Sequence, residues 1–211
     1  MSLPPIKLYD FALSGHAHRV RLMLSLLDLP YEAIPVNLRE GEQKSAAFLH
    51  MNPFGQVPVI QDGDVTLADS NAILVYLARR YDDAAQWLPR GALTEAQVQV
   101  WLSAAAGPLA FGAAHARAAH LFKRPLEQRA YALAAGLLSA MAQRLGTQRW
   151  LASTEHPTIA YVALYSYTAH APEGGINLDE HPHVTRWLRD VEGLTGFVPM
   201  PASPLPSANQ T

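Results

Sequence analysis

The spacing of apolar residues changes period twice within the first forty positions, and that switch constrains the fold more than any other feature. Ile6 to Phe11 (IKLYDF) alternates apolar and polar side chains, as a strand with one covered face does. From His16 to Leu29 the period becomes helical, with Val20, Met23, Leu24 and Leu27 on one face, until Pro30 stops the run. Tyr31 to Asn37 (YEAIPVN) returns to strand character, and Pro35 marks an edge or a strand end. Strand, helix and strand in that order imply a right-handed crossover and a parallel pair.

The next segments extend this unit. Ser45 to Met51 reads as a short helix ended by Asn52-Pro53. Val57 to Gln61 and Val65 to Ala68 read as two short strands, joined as a hairpin by Asp62-Gly63-Asp64. Asp69 to Tyr81 is helical again. The order β-α-β-α-β-β-α makes a mixed, thioredoxin-like sheet.

After Tyr81 the character shifts. Asp82 to Gly91 (DDAAQWLPRG) reads as a linker, and everything strong beyond it is helical. Leu93 to Ala119 is Ala-rich, with a kink or break expected at Gly107-Pro108. Pro125 to Leu145 carries Leu133, Leu137, Met141 and Leu145 at i+4 steps, with Gly146 as the expected C-cap. Thr158 to Ala169 and Pro182 to Glu192 are two more helices, and Pro199, Pro201, Pro204 and Pro206 predict an extended tail. The expected organisation is α/β followed by all-α: a thioredoxin-like domain over 1–81, a linker over 82–91, and a helical-bundle domain over 92–211.

Composition narrows the function. A formal net charge of −2 argues against a nucleic-acid surface. No apolar run approaches the ~20 residues that cross a bilayer, and Met1 to Tyr9 lacks the pattern of a signal peptide. Cysteine is absent, which excludes disulfides, thiolate metal sites and a Cys nucleophile. This suits a cytoplasmic setting; no metal is expected, and any thiol chemistry must bring its sulfur on a ligand.

Three segments carry the candidate chemistry, each at the end of a strand or the start of a helix, where open α/β sheets bind ligands. Ser14, before the first helix, is a natural N-cap or a hydroxyl aimed at an anion on that helix terminus. Gln56-Val57-Pro58 opens the third strand; a cis bond before Pro58 would turn the Val57 backbone outward to pair with an extended peptide. Asp69-Ser70 starts the third helix and either caps it or takes the ammonium and carboxylate of a free amino-acid end.

These segments resemble the cytosolic glutathione S-transferases. Ser14 to Val20 (SGHAHRV) is similar to the serine-containing first-helix motif of the phi and zeta classes, Asn52 to Pro58 (NPFGQVP) resembles the phi-type run, and Asp69-Ser70 with Ala72-Ile73 resembles the family's glutamyl-binding helix start. The resemblance covers essentially the whole chain, more strongly to Tyr81. It implies that Ser14 donates a hydrogen bond to the glutathione sulfur. It further implies that Gln43, Lys44 and Gln56 hold the glycine end, that Val57, before the cis Pro58, pairs with the cysteinyl backbone, and that Asp69 and Ser70 grip the γ-glutamyl end. Glutathione would be a co-substrate and a homodimer the assembly.

The partner substrate implied is a small hydrophobic electrophile, in a pocket between the halves lined by Phe11, Leu13, His16, Phe111 and His115. Glutathione-dependent isomerisation, peroxidase activity and a non-catalytic binding module are the alternatives; transfer through an enzyme mixed disulfide is excluded by the missing cysteine. Two positions depart from the family pattern. His16 stands where serine-class members often have Cys. Tyr161 stands where a capping box beginning at Thr158 has Asp; Thr158 can still cap, but a helix start weaker by ~1 kcal/mol is expected, with stability gained on restoring Asp.

Overall fold

The computed structural model describes residues 5–152 and 154–206. The first half follows the order read from the sequence: β1 (Ile6–Asp10), α1 (Gly15–Leu26), β2 (Tyr31–Pro35), α2 (Ala46–Met51), β3 (Val59–Asp62), β4 (Val65–Ala68) and α3 (Ser70–Tyr81), with one 3₁₀ turn at Glu42–Lys44. The sheet order is β2-β1-β3-β4, with β1 parallel to β2 and both other pairings antiparallel. Ile6 and Leu8 of β1 point into the core, as their alternation requires.

Local chemistry trims the elements. α1 ends at Leu26 because Asp28 turns left-handed (φ 52°) ahead of Pro30. β3 begins at Val59, so Val57 and Pro58 lie in the approach to the strand. Their peptide bond is cis.

The second half is helical: α4 (Ala92–Ala104), a π-helix (Ala105–Ala114), α5 (His115–Phe122), α6 (Gln128–Thr147), α7 (Ile159–Ala169), a 3₁₀ turn (Ala171–Gly174) and α8 (Pro182–Glu192). At Gly107-Pro108, where a kink or break is expected, the chain does not break. Pro108 has no N–H to give to the carbonyl four residues back, and the helix passes through it with i→i+5 winding instead. Nor does Gly146 cap α6, which runs on to Thr147 with Gln148 as its C-cap.

α7 is the centre of the molecule. Every residue from Ile159 to Thr168 is buried, and one apolar cluster runs from Leu8 and Val20 through Leu74 and Leu109 to Leu164 and Trp187. His18 of α1, fully buried, bonds Ser166 Oγ through Nδ1 and the Val198 carbonyl through Nε2, both at 2.8 Å. Burial holds its imidazole down at about 4, so it is neutral near pH 7. No described helix is long and apolar enough to cross a membrane.

The capping expectation at α7 is also corrected. The Thr158 hydroxyl makes no cap and is buried without a hydrogen-bond partner among the described residues. Tyr161 is fully buried, 4.9 Å from the Trp150 ring and 6.0 Å from Trp187 between centroids. The site is filled by an aromatic ring, and a restored Asp would leave that space empty. Truncating a buried aromatic costs ~3–5 kcal/mol, against a cap gain of ~1 kcal/mol. Tyr161→Asp is therefore expected to lower thermal stability in a melting experiment, by roughly 4–12 °C for a chain of this size; an unchanged or raised Tm would show that the cap dominates.

Candidate active site

Ser14 is where the first strand hands over to the first helix. Its N–H donates to the Phe11 carbonyl (2.8 Å), closing the turn, and its Oγ accepts from the Ala17 N–H at 3.2 Å as N-cap of α1. The cap occupies a lone pair and leaves the hydroxyl hydrogen free. Capping and donation to an anion are therefore compatible roles for one hydroxyl. Gly15 follows because nothing larger fits: a Cβ there would stand 2.7 Å from Cζ of Tyr167.

A cavity of about 590 Å³ opens beside Ser14 and reaches the other two segments. Gln56, Val57 and Pro58 line it. Buried Asn52 shapes the approach, its Nδ2 donating to the Gln56 carbonyl (2.7 Å) and its Oδ1 accepting from the Phe54 N–H (3.1 Å). Neither backbone group of Val57 has a hydrogen bond among the described residues. An unpaired N–H and C=O beside a cavity are what an added extended peptide requires.

Gln43 and Lys44 enter from the 3₁₀ turn. Lys44 Nζ donates to the Phe54 carbonyl at 3.1 Å. Gly55 makes that approach possible, since at φ 59° any Cβ would meet Lys44 Nζ at 2.7 Å.

Asp69 and Ser70 supply the far wall. Asp69 caps α3 through Oδ1, accepting from Ala72 N–H at 2.9 Å, and its backbone sits at φ 70°, ψ 121°, a sparsely populated region for a residue with a side chain. Its second carboxylate oxygen has no hydrogen-bond partner among the described residues. Beneath Ser70 lies Arg19, fully buried, whose NH1 group shares its two hydrogens among Ser70 Oγ (3.1 Å), His16 Nδ1 (3.1 Å) and Asn71 Oδ1 (3.4 Å). Burial pulls its guanidinium down to about 10, against the opposing pull of Tyr167 and Asp69, so it stays cationic. Its Nε and second terminal nitrogen have no hydrogen-bond partner among the described residues.

All eight residues assigned to glutathione or catalysis from the sequence thus border one space. The electrophile side differs. A smaller hollow of about 190 Å³ adjoins Ser14, and of the five expected residues Phe11 and Leu13 line it. His16 faces the larger cavity instead, with its ring 5.0 Å from Tyr167. Burial first, then the Arg19 charge, lowers its imidazole to about 3, so it is neutral. Phe111 is 65% exposed in a separate surface depression with Pro108 and Leu133. His115 lines neither hollow and its Nε2 accepts weakly from the Glu127 N–H (3.5 Å).

The displacement of Phe111 has a physical cause. Phe111 lies in the π-helix, whose i→i+5 winding turns less per residue, so it falls out of line with Ala118 and Phe122 of α5. His115 belongs to α5 itself and turns toward Glu127, while Ala114, Arg117, Ala118 and Phe122 form the wall. Tyr167 of α7 completes it.

Arg117 is the residue that sequence reasoning missed most. It is 3% exposed and bonds three parts of the chain: Nε to Glu173 Oε2 (2.6 Å), NH1 to the Leu13 carbonyl (2.8 Å) and NH2 to Ser203 Oγ (3.0 Å). Burial works to raise the Glu173 carboxyl, but the Ser203 N–H, His170 and Arg117 outweigh it and hold it below the usual range. The only sequence signal is an arginine on an otherwise Ala-rich face.

Residues 4–79 match the family described as glutathione S-transferase, N-terminal domain. The chain is 31% identical to glutathione S-transferase 3 of Zea mays, across 98% of this chain and 100% of the maize protein. A glutathione S-transferase from Pseudomonas fluorescens superposes with a TM-score of 0.87 at 34% identity, covering 93% of this chain and 99% of that one. A glutathione transferase homologue from Drosophila mojavensis, solved with bound glutathione, superposes at 0.82 with 26% identity, over 90% of this chain and 88% of that one.

The Arg117–Glu173 pair tests how the Leu13–Ser14 turn is held. Removing one member of a buried ion pair strands the other and costs ~3–5 kcal/mol. Arg117→Met is expected to lose that much in urea denaturation, and adding Glu173→Gln to recover part of it. A loss below ~1 kcal/mol, the worth of an exposed pair, would contradict this.

Proposed function

The chain belongs to the glutathione S-transferase family, and on that premise we propose that Ser14 stabilises the thiolate of glutathione bound across the larger cavity and directs it at a small electrophile in the adjoining hollow. The observation that carries the proposal is the free hydroxyl hydrogen of Ser14 at the point where the two hollows meet.

The tripeptide's charges suit the walls. Its γ-glutamyl ammonium is assigned to Asp69, and the carboxylate beside it to Ser70 and the α3 N-terminus, above the buried Arg19 charge. The cysteinyl backbone pairs with Val57, and the glycine carboxylate goes to Gln43, Lys44 and Gln56. The glutathione seen in the Drosophila mojavensis neighbour supports this reading.

Magnitudes support a donor mechanism without a general base. A free thiol has pKa ~8.5, and lowering it by two units takes about 2.7 kcal/mol of preference for the anion. A hydrogen bond to a charged group supplies ~1.5–3 kcal/mol, and the N-terminus of α1 adds ~0.3–1 kcal/mol. The thiol proton leaves to solvent. The thiolate then forms the carbon–sulfur bond as the leaving group departs or the conjugated system takes up a proton. His16, held down at about 3 with its Nδ1 engaged by Arg19, is too weak a base to take that proton.

The wider role assigned is detoxification of electrophiles by a cytoplasmic homodimer.

Ser14→Ala is expected to bring the bound thiol back toward ~8.5 and to lower kcat/KM about 25-fold at pH 7, the fall in thiolate fraction. Glutathione-affinity retention should persist. A variant whose thiol titration and turnover match the parent would overturn the assignment of Ser14.

A further inference from the structure

The hollow beside Ser14 is not the purely apolar pocket that a hydrophobic electrophile needs. Its floor is aromatic, with the Phe11 and Phe122 rings 6.4 Å apart between centroids. Its wall and rim carry three arginines, Arg39, Arg117 and Arg124, and no acidic side chain among the described residues lines it. Arg117 is neutralised by Glu173. Arg39 and Arg124 are exposed, and neither has an ion-pair partner among the described residues. Arg124 lies with its guanidinium 5.3 Å from the Phe122 centroid, which keeps its charge beside the aromatic floor.

These two arginines come from different halves of the chain, Arg39 from the loop after β2 and Arg124 from just beyond α5. A guanidinium presents donors in a planar fork that matches a carboxylate. Two uncompensated forks above an aromatic floor, next to the sulfur position, select for both charge and unsaturation. We infer that the second substrate is an aromatic or conjugated electrophile carrying a carboxylate, its ring or double bonds on Phe11 and Phe122 and its anionic group at Arg39 and Arg124.

The inference rests on the transferase reading and refines its substrate class. For an aryl chloride the balance is simple. The carbon–sulfur bond forms, chloride leaves with the carbon–chlorine pair, and the thiol proton goes to solvent.

The test compares 4-chloro-3-nitrobenzoate with its methyl ester, and the glutathione conjugates of the two. Arg124 also borders the larger cavity, but both conjugates carry the same tripeptide, so any contact it makes there cancels in their difference. By calorimetry at low salt the acid conjugate should bind about tenfold tighter than the ester conjugate, the size expected of two partly exposed ion pairs. That preference should shrink as salt rises. It should fall to about threefold in Arg39→Gln, which lies outside the larger cavity, and vanish in Arg39→Gln with Arg124→Gln. Turnover, divided by each probe's uncatalysed rate, should favour the acid in the same order. Equal affinities, tighter binding of the ester, or a preference that survives the double variant would overturn the inference and leave the transferase reading standing. Failure of glutathione and of both conjugates to bind would overturn both.

Discussion

The ring of Tyr167 fills the space that any side chain at position 15 would need, and the start of α1 therefore lies directly on α7. That contact joins the two halves of the chain at one point. His16 meets the same ring edge-on, and the Arg19 guanidinium stands 5.7 Å from its centroid. One turn further along α1, His18 is bonded to Ser166 of α7 and to the Val198 carbonyl. Ser14 heads this clamped helix, so its hydroxyl is placed by the helical half although it belongs to the sheet half. Arg117 secures the turn before it through the Leu13 carbonyl.

Charge is distributed around that point with a clear division. Beneath the larger cavity Arg19 is buried and has spare donors, and at its edge Asp69 holds a backbone conformation that few residues adopt. Strain of that kind, of order 1–3 kcal/mol, persists where surrounding structure over-determines it; here the cap to Ala72 and the start of α3 do so. In the smaller hollow the buried arginine is neutralised and the exposed ones are not. The two proposed ligands follow this division, glutathione in the first space and an anionic unsaturated electrophile in the second.

Much of the sheet half is legible in the sequence because its signals are local. The change of period at Leu13, the Asp62-Gly63-Asp64 turn and the caps at Ser14 and Asp69 each lie within a few residues of what they determine. The meeting of Ser14, Val57 and Asp69 in one cavity follows from topology, since each ends a strand or starts a helix. The helical half is less legible. An Ala-rich stretch gives no sign that Ala105–Ala114 winds as a π-helix, so the face that Phe111 presents cannot be read from i+4 spacing. Tyr161 in a capping pattern reads as a defect until its packing between Trp150 and Trp187 is seen. Arg117 is invisible for a related reason: its partners lie 56, 86 and 104 residues away.

The central claim is that Ser14 holds the sulfur of glutathione. A crystal structure of the chain with glutathione bound tests it most directly. The account predicts the sulfur within hydrogen-bond distance of Ser14 Oγ, ~3.0–3.5 Å for a sulfur acceptor, with the cysteinyl backbone paired to Val57 and the γ-glutamyl group at Asp69 and Ser70. Glutathione bound with its sulfur turned away from Ser14, the hydroxyl engaged only by the Ala17 N–H, would contradict it.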